Sequence, residues 1–143
     1  MKLTEEQIKS IVEDLNMGMS VYVNIDTNEI KAVMDFEQHY DADPEPWKED
    51  LKEIEENFDK YFHFERMDSR EAFRVMDAFV ETVEDEELKK KLDLGLSLSK
   101  PFRNFKDILN YDAEYRDKWF AFKMEKTIEF VKEQLNNYNE LQE

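Results

Sequence analysis

Met19-Ser20-Val21-Tyr22-Val23-Asn24-Ile25, then Asp26-Thr27-Asn28-Glu29, then Ile30-Lys31-Ala32-Val33-Met34-Asp35-Phe36 decide the fold. In the first segment Met19, Val21, Val23 and Ile25 alternate with Ser20, Tyr22 and Asn24, the period of two that puts successive side chains on opposite faces of a strand. The middle segment has turn chemistry, and Ile30, Ala32, Met34 and Phe36 resume the alternation after it. The pattern predicts a β-hairpin with one buried face. Two strands alone are marginal in water, so a third is needed. Tyr61-Phe62-His63-Phe64 is too short and too aromatic for a helix and supplies it.

Helices surround this hairpin. Thr4-Glu5-Glu6-Gln7 has the spacing of a capping box, with Ile8, Ile11, Val12 and Leu15 on one face behind it and Asn16 or Gly18 to stop the helix. An acidic loop from Asp35 to Pro46 leads into a stripe of Trp47, Leu51, Ile54 and Phe58. From Asp68 the chain reads as helical to its end. Asp68 and Glu71 form a second cap-like pair ahead of Phe73, Met76, Phe79 and Val80. Asp85 caps a short helix carrying Leu88 and Leu92 and ended by Gly95. Pro101 opens the next, which carries Phe102, Phe105, Ile108 and Leu109. Asp112 opens the last, with a stripe of Phe120, Met124, Ile128, Val131, Leu135 and Tyr138 and a second face of Tyr115, Trp119 and Phe122. The expected fold is α+β: a small antiparallel sheet, hairpin plus third strand, packed on a mainly helical C-terminal half. With no Gly/Ser linker or repeat, residues 1–143 are expected to form a single domain.

Charge dominates the composition. The 143 residues hold 36 acidic and 20 basic side chains, a net of −16, with 17 acidic and 6 basic among residues 1–60. Binding phosphates requires a basic footprint, so neither nucleic acid nor an anionic membrane is an expected direct partner. Such a charge serves solubility first, and it also speeds encounter with a basic protein. Cysteine is absent, which rules out disulfides, thiolate nucleophiles and Cys-ligated zinc. An acidic N-terminal segment and the lack of a long apolar run lead to the expectation of a cytoplasmic protein.

Three segments carry a family resemblance. Ser69-Arg70-Glu71-Ala72-Phe73-Arg74-Val75-Met76 with Phe79-Val80, Phe102-Arg103-Asn104-Phe105-Lys106-Asp107-Ile108-Leu109, and Trp119-Phe120-Ala121-Phe122 resemble the S-x-E-A-F-x-x-M-x-x-F, F-R-x-F-K-x-x-L and W-[FY]-x-F segments of the bacterial Uncharacterised Protein Family 0158. The resemblance also implies an N-terminal hairpin over residues 21–33. Where members often have Gly at its turn this chain has Asn28, a residue that tolerates left-handed backbone. The family has no agreed activity, so the resemblance implies fold and not mechanism. Size, acidity and α+β order are also similar to the SUKH superfamily of glucan-synthesis regulators and immunity proteins, at the level of fold alone.

Two constellations stand out. Asp35, Glu37, His39, Asp41 and Asp43 alternate, so an extended backbone would project all five to one side as candidate ligands for a divalent cation. The turn glycine and closing Glu of a calcium loop are missing, and a solvated acidic loop is the plainer reading. The other is cationic. Arg70 and Arg74 share one helix face, Arg103 and Lys106 another, beside Trp119, and guanidinium forks suit carboxylate or phosphate contacts; local ion pairing is the plainer reading there. With two histidines, His39 and His63, and two glycines, the sequence offers no catalytic triad pattern and no phosphate-cradling loop. No catalytic residue and no cofactor is therefore expected. The leading expectation is a non-enzymatic binding or regulatory module acting on a protein partner, favourably a basic one. Its alternatives are an immunity-type inhibitor or acidic nucleic-acid mimic against a basic toxin or nuclease, and a divalent-metal-dependent protein using the loop at 35–45. Nothing in the sequence specifies an oligomeric state.

Overall fold

Strand β1 (Met19–Asn24) is paired on both sides: β2 (Ile30–Met34) and β3 (Tyr61–Phe64) flank it antiparallel, in the order β2-β1-β3. The computed structural model describes residues 1–37 and 39–142. The hairpin register sets Val21 opposite Ala32 and Val23 opposite Ile30, and β3 brings Phe64 and Phe62 beside the same two valines. Directly opposed residues share a face, so these six make one apolar surface, on which Val21, Val23 and Phe64 are fully buried. The turn closes as the sequence predicts. Asn24 Oδ1 accepts from the Asp26 and Thr27 amides at 2.9 and 3.0 Å, and Asn28 takes φ 64°. The Asn28 side-chain amide also donates to the Lys2 carbonyl at 2.8 Å.

The expectation of a single buried face needs correcting. Val33, opposite Ser20, lies on the other side of the sheet and is buried as well. Helix α2 (Lys48–Glu56) covers it by lying against β2, held by Lys31 Nζ to Asp50 Oδ1 at 3.0 Å. The predicted stripe also ends early. Asn57 leaves helical backbone (φ −120°, ψ 39°) and its side chain folds back on the Glu53 carbonyl, which puts Phe58 in a short 3-10 turn (Phe58–Lys60), 79% exposed. Helix α1 (Glu5–Asn16) forms behind its capping box, buries Ile8, Ile11, Val12 and Leu15 against the hairpin, and is stopped at Gly18 with φ 83°.

Contacts divide the chain into two compact units, Met1–Arg66 with Thr127–Glu143, and Met67–Lys126. The second holds α3 (Ser69–Thr82), α4 (Glu86–Ser97), α5 (Pro101–Leu109) and the first half of α6 (Ala113–Leu141). Asp68, Asp85 and Asp112 cap their helices through backbone amides at 2.8–3.1 Å. The core of this unit is aromatic: Phe105 meets Trp119 edge-on at 4.8 Å and Phe79 at 6.2 Å, and Trp119 meets Phe79 at 5.4 Å. Such edge-to-face pairs add to the area they bury. The last helix therefore departs from the predicted continuous stripe. Trp119 and Phe122 supply its packed face here and Phe120 is left 57% exposed, whereas Thr127, Val131 and Leu135 are buried further on. Gly95 does not end α4, which runs to Ser97. A methyl group at Gly95 would stand 3.0 Å from Ile108 Cδ1 and 3.3 Å from Asn104 Cβ, so it is the point where α4 and α5 touch.

Asn28→Gly should shift urea-unfolding stability by no more than about 0.5 kcal/mol, whereas Asn28→Val should cost about 1–2 kcal/mol by forcing a branched side chain into left-handed backbone. Phe105→Ala should cost about 3–5 kcal/mol in the same measurement, because it empties the centre of the aromatic core.

Candidate functional site

The second face of the sheet is only partly covered by α2, and the remainder is an open cleft of about 420 Å³. Its position follows from the register: Tyr22 of the central strand sits between Lys31 and His63. The Tyr22 and His63 rings stack with centroids 4.4 Å apart and planes 11° from parallel. Leu51 of α2 forms the far wall, and Asp35, Phe36 and Arg66 close one end where β2 and β3 run out. Arg66 is ion-paired to Asp35, and both side chains are largely shielded from solvent. A half-buried guanidinium held this way is fixed in direction, because the cost of leaving either partner alone is high.

The charges in the cleft act on each other. Burial pushes the Tyr22 phenol pKa up, and the Asp35 and Glu37 carboxylates push it further. Although His63 is exposed at its outer side, partial desolvation holds its imidazole below its ordinary value; Glu65 and Asp35 oppose this, and Arg66 adds to it. Outside the cleft wall, Lys31 is shifted the other way, chiefly by its bond to Asp50. The cleft thus presents stacked rings, one oriented cation and apolar walls, the combination that a protruding side chain of another molecule fills.

The residues singled out from sequence fall in different places. The acidic segment is not extended. Asp35 Oδ1 accepts from the Glu37 amide at 3.0 Å, the His39 amide donates to the Asp35 carbonyl at 2.9 Å, and Asp43 Oδ1 accepts from the Glu45 amide at 3.0 Å. Successive turns replace the alternation, so the five side chains do not project together; Gln38 within the segment lies outside the described residues. Among the described residues no three His, Asp or Glu side chains are placed to hold a metal ion. Glu37, His39, Asp41 and Asp43 are exposed, and of the five only Asp35 and Glu37 line the cleft.

Of the cationic set, Trp119 is core and cannot serve as a surface contact, because it is wedged among Phe79, Phe105 and Phe122. Arg70 and Arg74 are exposed on α3. Arg103 is exposed on α5 and makes a long pair with Asp107 at 3.9 Å. Among the described residues no hydrogen bond or ion pair joins the α3 pair to the α5 pair. Lys106 instead lies in the field of Lys123, whose pKa is lowered first by burial and then by that neighbouring ammonium. The three family-like segments meet in the core through Phe73, Met76, Phe79, Phe102, Phe105, Leu109, Trp119 and Phe122, so their shared apolar residues are packing residues, while the shared Arg103 and Lys106 are exposed. The sheet-face cleft escaped sequence reading, since Tyr22, Leu51 and Arg66 converge only through the register and the return of α2.

The family model described as Uncharacterised protein family (UPF0158) matches residues 12–143. No curated protein and no solved structure matches the chain, so the SUKH likeness rests on size, acidity and element order alone.

Because His63 is depressed, the unfolded chain binds its proton more readily than the folded one, and stability due to this group is lost as pH falls through about 6.5. His63→Phe keeps a ring on Tyr22 without titrating. Between pH 7.5 and 5 the wild type should lose stability relative to that variant in paired urea titrations; a pH-independent difference would refute the shift.

Proposed function

The chain belongs to Uncharacterised protein family 0158, and from its geometry and charge we propose that it is a non-enzymatic, cytoplasmic binding or regulatory module that acts by docking a basic protein partner at the sheet-face cleft. The observation that carries this reading is where the charge lies. The unit built on the sheet, Met1–Arg66 with Thr127–Glu143, holds 22 acidic and 8 basic side chains, and the helical unit, Met67–Lys126, holds 14 and 12. The net charge of −16 is thereby −14 on the first and −2 on the second. A field of that sign draws a cationic surface in and turns nucleic acid and anionic lipid away. Among the described residues no helix is long and apolar enough to cross a membrane. The cleft adds what a diffuse field lacks: a place of defined shape, with Tyr22, His63 and Leu51 for apolar contact, Arg66 neutralised by Asp35, and the exposed Glu37 and Glu65 carboxylates to meet a cation.

The concentration of carboxylates on one unit also favours a second, narrower reading, in which the chain mimics nucleic acid and occupies the basic cleft of a toxin or nuclease. The two readings differ in what displaces the chain: duplex DNA competes for a nucleic-acid site and leaves a different basic surface alone.

Affinity capture from the native host at near-physiological salt should recover a basic partner. Its binding should fall by about tenfold or more with Tyr22→Ala or Leu51→Asp, persist with Arg70→Ala/Arg74→Ala, and weaken steeply as salt is raised. A partner retained equally by the cleft variants, or held without regard to salt, would sink the proposal.

A further inference from the structure

We infer that the groove where α4 crosses α5 docks a cationic amphipathic helix of a partner protein, at a surface separate from the sheet-face cleft and independent of that reading. Two adjoining hollows, about 310 and 400 Å³, share Lys91, Asp107 and Ile108 in their walls and so form one groove. One end is apolar: Leu94 on α4 and Leu98, the extended residue just past its end, are 61% and 55% exposed and share the wall with Ile108 of α5. The other end is acidic, with Asp85, Glu87, Asp107 and Asp112 around the exposed ring of Tyr111, against Lys91 in the wall and Arg103, which makes a long pair with Asp107 at 3.9 Å.

Gly95 accounts for the apolar end. With no side chain there, Ile108 and Asn104 of α5 approach α4 directly, and the Asn104 amide bonds the Gly95 and Ser99 carbonyls at 2.9 Å each. The neighbouring leucines, displaced from that contact, stand on the rim. Leucines on an exposed groove wall at a spacing of four are what an amphipathic helix reads with its own i, i+3 and i+4 apolar positions. The carboxylates choose the sign of its other face, and Asp85 and Asp112 are fixed in place there by capping their helices. A second copy of this chain, itself at −16, is repelled by the same groups. Along the 12 residues of α4 the groove runs roughly 18 Å, about three turns of helix.

The test uses the intact chain and a synthetic Leu/Lys peptide of about 18 residues with helical spacing, beside a scrambled peptide of the same composition. Amide NMR shifts on titration should concentrate between residues 85 and 112, and the scrambled peptide should bind about tenfold or more weakly. Leu94→Lys/Leu98→Lys, at exposed positions, and separately the charge reversal Asp107→Lys, should each weaken the helical peptide by about tenfold. Shifts centred on residues 1–66, equal affinity for both peptides, no binding at all, or a self-association abolished by Leu94→Lys would each overturn the proposal.

Discussion

A strand hydrogen-bonded on both edges governs the first unit. Because β1 is flanked by β2 and β3, its inward valines are locked, and the opposite side of the same strand must present Tyr22 at a fixed place between Lys31 and His63. A one-residue slip in either pairing would exchange the two faces and dissolve the buried layer and the cleft together. The register is pinned independently at the turn, by Asn24 accepting two amides and Asn28 in left-handed backbone. The cleft is therefore a by-product of how the core is aligned.

The charge distribution sets a different constraint. Twenty-two carboxylates around a three-stranded sheet repel one another and lower the stability of the folded unit, yet the few cations are placed where they tie elements together. Lys31 joins β2 to α2 through Asp50, Arg66 joins the end of β3 to the end of β2 through Asp35, and Lys132 reaches Glu5 from α6 at 3.2 Å. Most remaining carboxylates are left to solvent. In the helical unit the signs nearly balance, and the aromatic core and capping aspartates carry the packing.

Much of this was legible in the sequence, because local chemistry determines it. The two capping boxes, the aspartate caps of α4 and α6, the hairpin with Asn28 at its turn and the third strand all depend on residues close together in the chain. The misreadings share one cause. Val33, Phe58, Gly95 and Phe120 each sit where local pattern allows two outcomes and a distant element decides. Helix α2 returning over β2 buries Val33, and Asn57 breaks the stripe that would have buried Phe58. α5 approaching at Gly95 lets α4 continue, and the rings of Phe79 and Phe105 select Trp119 over Phe120. The candidate site belongs to the same class, since its members come from β1, β3, α2 and the chain ends beyond them.

The placement of the two tryptophans has a spectroscopic consequence. Trp47, half-exposed with Phe36 edge-on at 6.3 Å, belongs to the sheet unit, and Trp119, enclosed by phenylalanines, belongs to the helical unit. Each unit thus carries its own intrinsic fluorophore in a distinct surrounding, one partly wet and one dry. Emission maximum, acrylamide quenching and lifetime can follow the two separately without an added label, and single-tryptophan versions of the chain would report whether both units melt in one cooperative step or in sequence.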